Sequence, residues 1–391
     1  MAAVAAAFPF IEVKIDTSGL TPIATRSPGV IAIVGKTPDG ADGGSAALNE
    51  PQVIDTLDQA ANLFARKVAG VVTETTLYKS LKTAMLQDPK PSKIYGVRIK
   101  DNYAAGLAAL EGLDDVTFVS LAAESDIGVV AAGTNPPTNL TALKAHVENM
   151  SAQGNKRIGV AMVSPATAKS DNYVSDVATA LAPLKSDSSR MVIIAARGAS
   201  IDAATAAMAA IAGFEPHIST VLKRVRDVTL PLLSQYGPSE IKGLSEAGII
   251  PLIDPAMIVG EGLHMAEGRT FTTDASLLFI DTVRTLDDID FRLKAGLIGQ
   301  IGDARITKSG MTSVKIQVEA ILGPLLRRNV IAGFTVDIPV LNVLNLPEST
   351  WSATDRAIVV DARSNRIVDL LVTVTYGPAV HRLKVTLAPK F

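Results

Sequence analysis

Gly29-Val30-Ile31-Ala32-Ile33-Val34-Gly35-Lys36-Thr37 is the stretch on which the fold turns. Its run of five apolar, mostly β-branched residues reads as a buried strand of the kind found in parallel sheets. The same residues mimic a phosphate-cradling loop, whose rule is Gly, four residues, then Gly-Lys-Ser/Thr. Here five residues separate the glycines, they form the strand itself, and Pro38 stands where a helix has to begin. No nucleotide site is expected.

Working outward, strand and helix patterns alternate as far as Pro255. Ile54–Val68 and Thr76–Gln87 carry helical stripes, and Ile94–Ile99 reads as a strand. Tyr103–Leu110, Leu140–Ser151, Tyr173–Leu181 and Ile201–Ala212 are predicted helices, interleaved with strands over Val116–Leu121, Arg157–Val163 and Met191–Ala196. Strand–helix units of this length imply a mainly parallel sheet covered by helices. Thr220–Gly248 reads as a connector, and Ala247–Ile258 as extended. Beyond it, helices are predicted over Phe279–Gly299 and Ser313–Val330, a strand over Phe334–Leu341, and a hairpin of Ile367–Tyr376 with Val380–Leu387 around the turn Gly377-Pro378. The fold class is therefore α/β followed by α+β. At the other end, Ile11-Glu12-Val13-Lys14-Ile15-Asp16 alternates apolar and charged residues, the pattern of a strand that needs a sheet to join.

Composition narrows the function. Of 391 residues 48% are hydrophobic and 19% charged, which excludes a disordered chain. The 37 basic and 39 acidic residues leave a net charge of −2, so a nucleic-acid partner is not expected. Cysteine is absent, removing disulfide scaffolds, thiol catalysis and Cys-held metal centres. The apolar runs Ala203–Phe214 and Ala247–Val259 are too short or too broken by Pro251, Asp254 and Pro255 to span a membrane, and the N-terminus lacks the pattern of a signal peptide. The chain is expected to stay in the cytosol. High apolarity with near-zero net charge points to surface buried against other chains.

No catalytic constellation emerges. His146, His217, His264 and His381 have no ligand spacing. Ser120 and Ser164 lack the glycine-flanked elbow of a hydrolase. Asp114-Asp115 and Asp287-Asp288 read as helix-start or surface charge, and Gly40-Ala41-Asp42-Gly43-Gly44 as a mobile surface loop. Neither an enzyme nor a cofactor is expected. The rival to a structural role is an α/β small-molecule-binding protein or enzyme with a site at the strand ends. A soluble adaptor for an acidic partner is a third option, on the basic stretch Arg305–Arg328. On the helix after 279, Arg284, Asp288 and Arg292 are spaced by four, as are Asp290 and Lys294, forming either a solvated face or an electrostatic docking face.

The order of several segments resembles the sheath protein of contractile phage tails and related injection devices. Arg26-Ser27-Pro28-Gly29 with its strand, Lys93-Ile94-Tyr95-Gly96-Val97-Arg98-Ile99, and Leu244-Ser245-Glu246-Ala247-Gly248-Ile249-Ile250-Pro251-Leu252-Ile253 carry the likeness. So do Glu267-Gly268-Arg269-Thr270-Phe271-Thr272, the Arg-bearing helix Ser276–Leu286, and Val318–Ile331 with its Ala332-Gly333-Phe334 exit. The resemblance implies an N-terminal arm over 1–25, an outer α/β domain over 26–255, and an inner domain over 256–391 completed by strands from neighbouring subunits. It makes Ile11, Glu12, Val13, Lys14 and Ile15, and Leu383, Lys384, Val385, Thr386 and Leu387, the exchanged strands, with Phe334–Leu341 and Ile367–Thr375 as host sheet. Arg284, Arg292, Lys294, Lys308 and Lys315 become candidates for the tube-facing surface, and Gly19, Pro22, Gly377 and Pro378 candidate hinges. The implied partners are other copies in a helical polymer of stacked hexameric rings, a tail tube protein, and baseplate and terminator proteins. Neither nucleic acid nor membrane insertion is implied. The implied place is a tail sheath assembled in the host cytoplasm, which contracts by rigid-body rearrangement.

Overall fold

The computed structural model describes residues 27–68, 70–128, 137–258 and 262–382. The chain divides into two compact units, the larger taking 27–290, 324–335 and 372–382 of the described residues, the smaller 291–323 and 336–371. Residues 262–290, which the sequence groups with the C-terminal part, pack in the larger unit, where Met265, Ile280 and Val283 join its core.

A nine-stranded sheet forms the larger unit. Its strands are β1 (Val30–Lys36), β2 (Pro51–Val53), β5 (Lys93–Ile99), β6 (Phe118–Leu121), β7 (Ile158–Met162), β8 (Met191–Ala195), β9 (Arg224–Val225), β10 (Ile249–Ile253) and β11 (Leu263–Met265). The order is β2-β5-β1-β6-β7-β8-β10-β11-β9. The run from β5 to β10 is parallel, with β1 in register on both sides, Val30 opposite Lys93 and Ile31 opposite Phe118. Antiparallel β2 closes one edge, β11 and β9 the other. A small hairpin, β3 (Arg66–Val68) with β4 (Val71–Thr73), stands apart, so the stripe read as helix to Val68 ends earlier.

Strand periodicity explains the two cores. Ile31 and Ile33 of β1 point to one face and Val30, Ala32 and Val34 to the other. The first face is covered by α1 (Leu57–Phe64), α2 (Thr76–Met85) and α6 (Ala203–Gly213); the second by α3 (Tyr103–Ala108), α4 (Asn139–Ala152), α5 (Tyr173–Leu181) and α7 (Pro238–Ala247). Every residue of α6 from Ala203 to Ala212 is buried, so its small side chains let it lie close to the sheet.

The helix α7 falls in the region read as a connector. Pro238 opens it, Glu240 accepts from the Gly237 N–H at 2.9 Å, and Gly248 ends it at φ +85°.

The C-terminal elements are α8 (Ile280–Leu297), α9 (Lys308–Arg327), β12 (Gly333–Asp337), α10 (Pro339–Leu344), α11 (Ala353–Asn365) and β13 (Leu371–Thr375). The strand expected over Phe334–Leu341 stops at Asp337, because Pro339 starts a helix at its first position. The expected hairpin around Gly377-Pro378 does not form within the described residues. β13 pairs with β12 instead, and 376–382 has no strand. The smaller unit has a modest core of Met311, Ile338, Val340, Leu341, Val343, Val359 and Ala362.

Candidate assembly site

In open parallel sheets ligands bind in the crevice at the carboxyl ends of the strands. Here the charged side chains at those ends are bonded within the chain itself. Arg98, 5% exposed, spends its five guanidinium N–H groups on the loop once read as mobile. It donates to Thr37 Oγ1 at 2.7 Å and to the carbonyls of Pro38, Gly40, Gly44 and Ala46 at 2.8–3.0 Å. The Gly-rich segment is therefore wrapped around a buried cation. Gly35 is packed so closely that a Cβ would lie 2.7 Å from Ala122 Cβ and 2.8 Å from Leu77 Cβ, and Lys36 lies over the Tyr103 ring. Burial holds the Tyr103 phenol well above its ordinary pKa.

Beyond β6 and β8 the pattern continues. Asp202 caps α6, one oxygen accepting from Thr205 N, the other from Ser80 Oγ, Thr205 Oγ1 and Ala123 N at 2.6–2.8 Å. Arg197 sits between the rings of Tyr173 and Tyr236, 4.5 and 4.7 Å from their centroids, and pairs with Glu240 at 2.6 Å. That guanidinium holds the Glu240 carboxyl below its usual range. Satisfied networks of this kind rigidify a fold.

The tube-facing candidates separate into two groups. Arg284 is a correction. It is 4% exposed, and its guanidinium donates to the carbonyls of Ile211 and Phe214 at 2.9 and 2.8 Å, tying off the C-terminal end of α6 beside the Phe118 ring. Burial lowers its pKa to about 10, offset by Asp288, Asp281 and Asp287, so it remains charged. Lys294 and Lys308 are exposed, and Arg292 and Lys315 half-buried. The acidic doublets are also not bare surface charge. Asp287 forms a two-bond pair with Arg190 at 2.6 and 3.0 Å, Asp115 pairs with Lys93 at 2.8 Å, and Asp114 accepts from Asn155. No sequence signal marked Arg98, Arg197 and Asp202 as interior groups, although each follows or ends an apolar strand or opens a helix.

Two features of the C-terminal elements leave bonding and apolar capacity open. β12 and β13 form a sheet of only two strands, the start of β12 beside the end of β13, where Ala332 N donates to Thr375 O at 2.8 Å. Each strand leaves one edge without a neighbour among the described residues, and a two-stranded sheet is marginal by itself. In the smaller unit, a groove of about 910 Å³ is lined by apolar residues including Ile301, Ile306, Val314 and Leu370, and by Arg305, Arg363 and Arg366. Ile301 is 78% exposed and Ile367 65%, a large apolar display for a unit with so small a core. Gly377 and Pro378 are exposed. Gly19, Pro22 and the two expected exchange strands, Ile11–Ile15 and Leu383–Leu387, lie outside the described residues.

The mixed α/β fold with its large, mainly parallel sheet is shared with sheath proteins of contractile injection systems. The chain superposes on a structure of an extracellular contractile injection system, the PVC sheath complex in contracted state, with TM-score 0.67 and 12% identity over 99% of this chain and 98% of that one. It likewise matches a chain of the anti-feeding prophage baseplate (TM-score 0.64, 14% identity, 99% of this chain and 100% of that one). The sheath tail protein of Desulfitobacterium hafniense gives TM-score 0.56 and 11% identity over 85% of this chain and 93% of that one. No family model and no curated protein matches the chain.

Proposed function

We propose that this chain is the structural subunit of a contractile sheath, polymerising helically around a tail tube and contracting by rigid-body rearrangement to drive the tube through a host envelope. The observation that carries the proposal is the β12–β13 sheet, two-stranded among the described residues, in a chain that shares the sheath fold nearly end to end. Strands Ile11–Ile15 and Leu383–Leu387 from neighbouring copies would complete that sheet by augmentation, about ten bonds at roughly 0.5–1.5 kcal/mol each. Arg292, Lys294, Lys308 and Lys315, all in the smaller unit, remain candidates for contact with the tube. Gly19 with Pro22 and Gly377 with Pro378 serve as hinges between packings. Baseplate and terminator proteins are the end partners, and the tail is assembled in the host cytoplasm. Against the enzyme alternative stands the use of Arg98, Asp202 and Arg197, polar groups near the strand ends, in bonds within the chain.

Negative-stain microscopy tests the proposal. The purified chain is expected to form tubes or short cylinders, and a chain lacking residues 1–16 to keep its fold yet stay unassembled. A truncated chain that assembles normally removes the exchanged-strand assignment; a full chain that stays monomeric at high concentration removes the sheath reading.

A further inference from the structure

Between β13 and Leu383 the chain is pinned by side chains at two points. Tyr376 Oη donates to Asp281 Oδ2 at 2.8 Å, in the first turn of α8. Five residues on, His381 Nε2 lies 2.9 Å from Ser219 Oγ, and its ring stands edge-on to Phe279 with centroids 4.8 Å apart. His381 Nδ1 is 3.8 Å from Glu267 Oε1, and Arg382 is 3.4 Å from Glu267 Oε2. Glu267 itself is buried, with Arg269 at 3.7 Å. Between the pins, Gly377, Pro378, Ala379 and Val380 form an exposed arch.

We propose that 376–382 is a latch holding slack for the C-terminal segment, with Glu267 and Asp281 as its fasteners. Fastened, the chain is held to the larger unit as far as Arg382. Unfastened, it is held only as far as Thr375, and the freed residues add up to about 24 Å of reach at roughly 3.4 Å each. The inference rests on the reading that Leu383–Leu387 is lent to a neighbouring copy. A strand that stays paired while its donor and acceptor move as rigid bodies needs a tether of adjustable length, and this arch supplies it. Release does not orphan Glu267, because Arg269 stays beside it when His381 and Arg382 depart. The Gly377-Pro378 pair can therefore act as a hinge only once a pin has opened.

The absence of cysteine makes the test direct. Spin labels on a Leu233→Cys/Val380→Cys variant, both positions being highly exposed, report one narrow distance in the free subunit if the latch is closed. Adding Glu267→Gln and Tyr376→Phe is expected to broaden that distribution at least about twofold. An unchanged distribution overturns the latch. Labelled subunits diluted into unlabelled cylinders are expected to give different distances in the two lattice states, and one distance in both overturns the slack role. Failure of the unlabelled chain to form cylinders overturns the sheath reading instead, and the free-subunit distances stand apart from that result.

Discussion

The imidazole of His146 is buried 2.8 Å from the Arg157 guanidinium, which can only donate, so the ring accepts and is neutral. Burial, and then the charge of Arg157, push its pKa down to about 4. In the unfolded chain the ring takes up a proton near 6.5, so between these values the unfolded state binds more protons than the folded one. The stabilisation is complete above pH 6.5 and lost as pH falls toward 4, by about 2 kcal/mol between pH 7 and 5. Urea unfolding of His146→Gln is expected to show a correspondingly weaker loss of stability over that interval; equal losses in variant and parent would sink the assignment. The same scale holds the largest departures from the sequence reading. Arg284 reads as a docking charge in one dimension, yet it turns its donors on carbonyls inside the larger unit, as the buried Arg98 does on the glycine-rich loop.

At the level of the element, the signals that work are local ones. Tyr173–Leu181 was legible as a helix to the residue, and the sheet strands β1, β5, β7 and β8 to within two, because buried runs bounded by polar turns leave few alternatives. Helix α7 was missed although Gly237-Pro238 and Gly248 mark its ends, since Gly243 weakens its interior and no apolar stripe of full length runs through it. Gly248 holds φ +85°, a conformation that costs any L side chain. Gly248→Ala is expected to cost about 1 kcal/mol in urea unfolding, with the sheet's circular dichroism unchanged. Most of the second strand expected of the C-terminal hairpin, from Leu383 on, lies outside the described residues. Gly377-Pro378 does carry turn chemistry, but β13 finds its partner in β12, some forty residues earlier, where no local signal points.

For the whole molecule, charge and apolar surface are the levers. If the smaller unit faces a tube through its lysines, Lys308→Glu/Lys315→Glu is expected to weaken tube docking about tenfold at low salt and far less at high salt, since surface charges are screened beyond about 10 Å at 0.1 M. Co-sedimentation with tubes at two salt concentrations checks this, and docking unchanged at both would move the contact elsewhere. Arg284 would serve poorly in such a test, because its loss strikes the end of α6 and not an exterior face.

The amino-acid order alone determined the alternating strand–helix plan, the parallel sheet and the want of a nucleotide loop, because each follows from periodicity within a dozen residues. Only the tertiary structure decided that Arg284 is interior, that the glycine-rich loop encloses Arg98, and that Asp202 and Arg197 are tied into networks within the chain. Those facts depend on groups tens of residues apart meeting in a low-dielectric interior, where a guanidinium must find its acceptors whatever its neighbours in sequence.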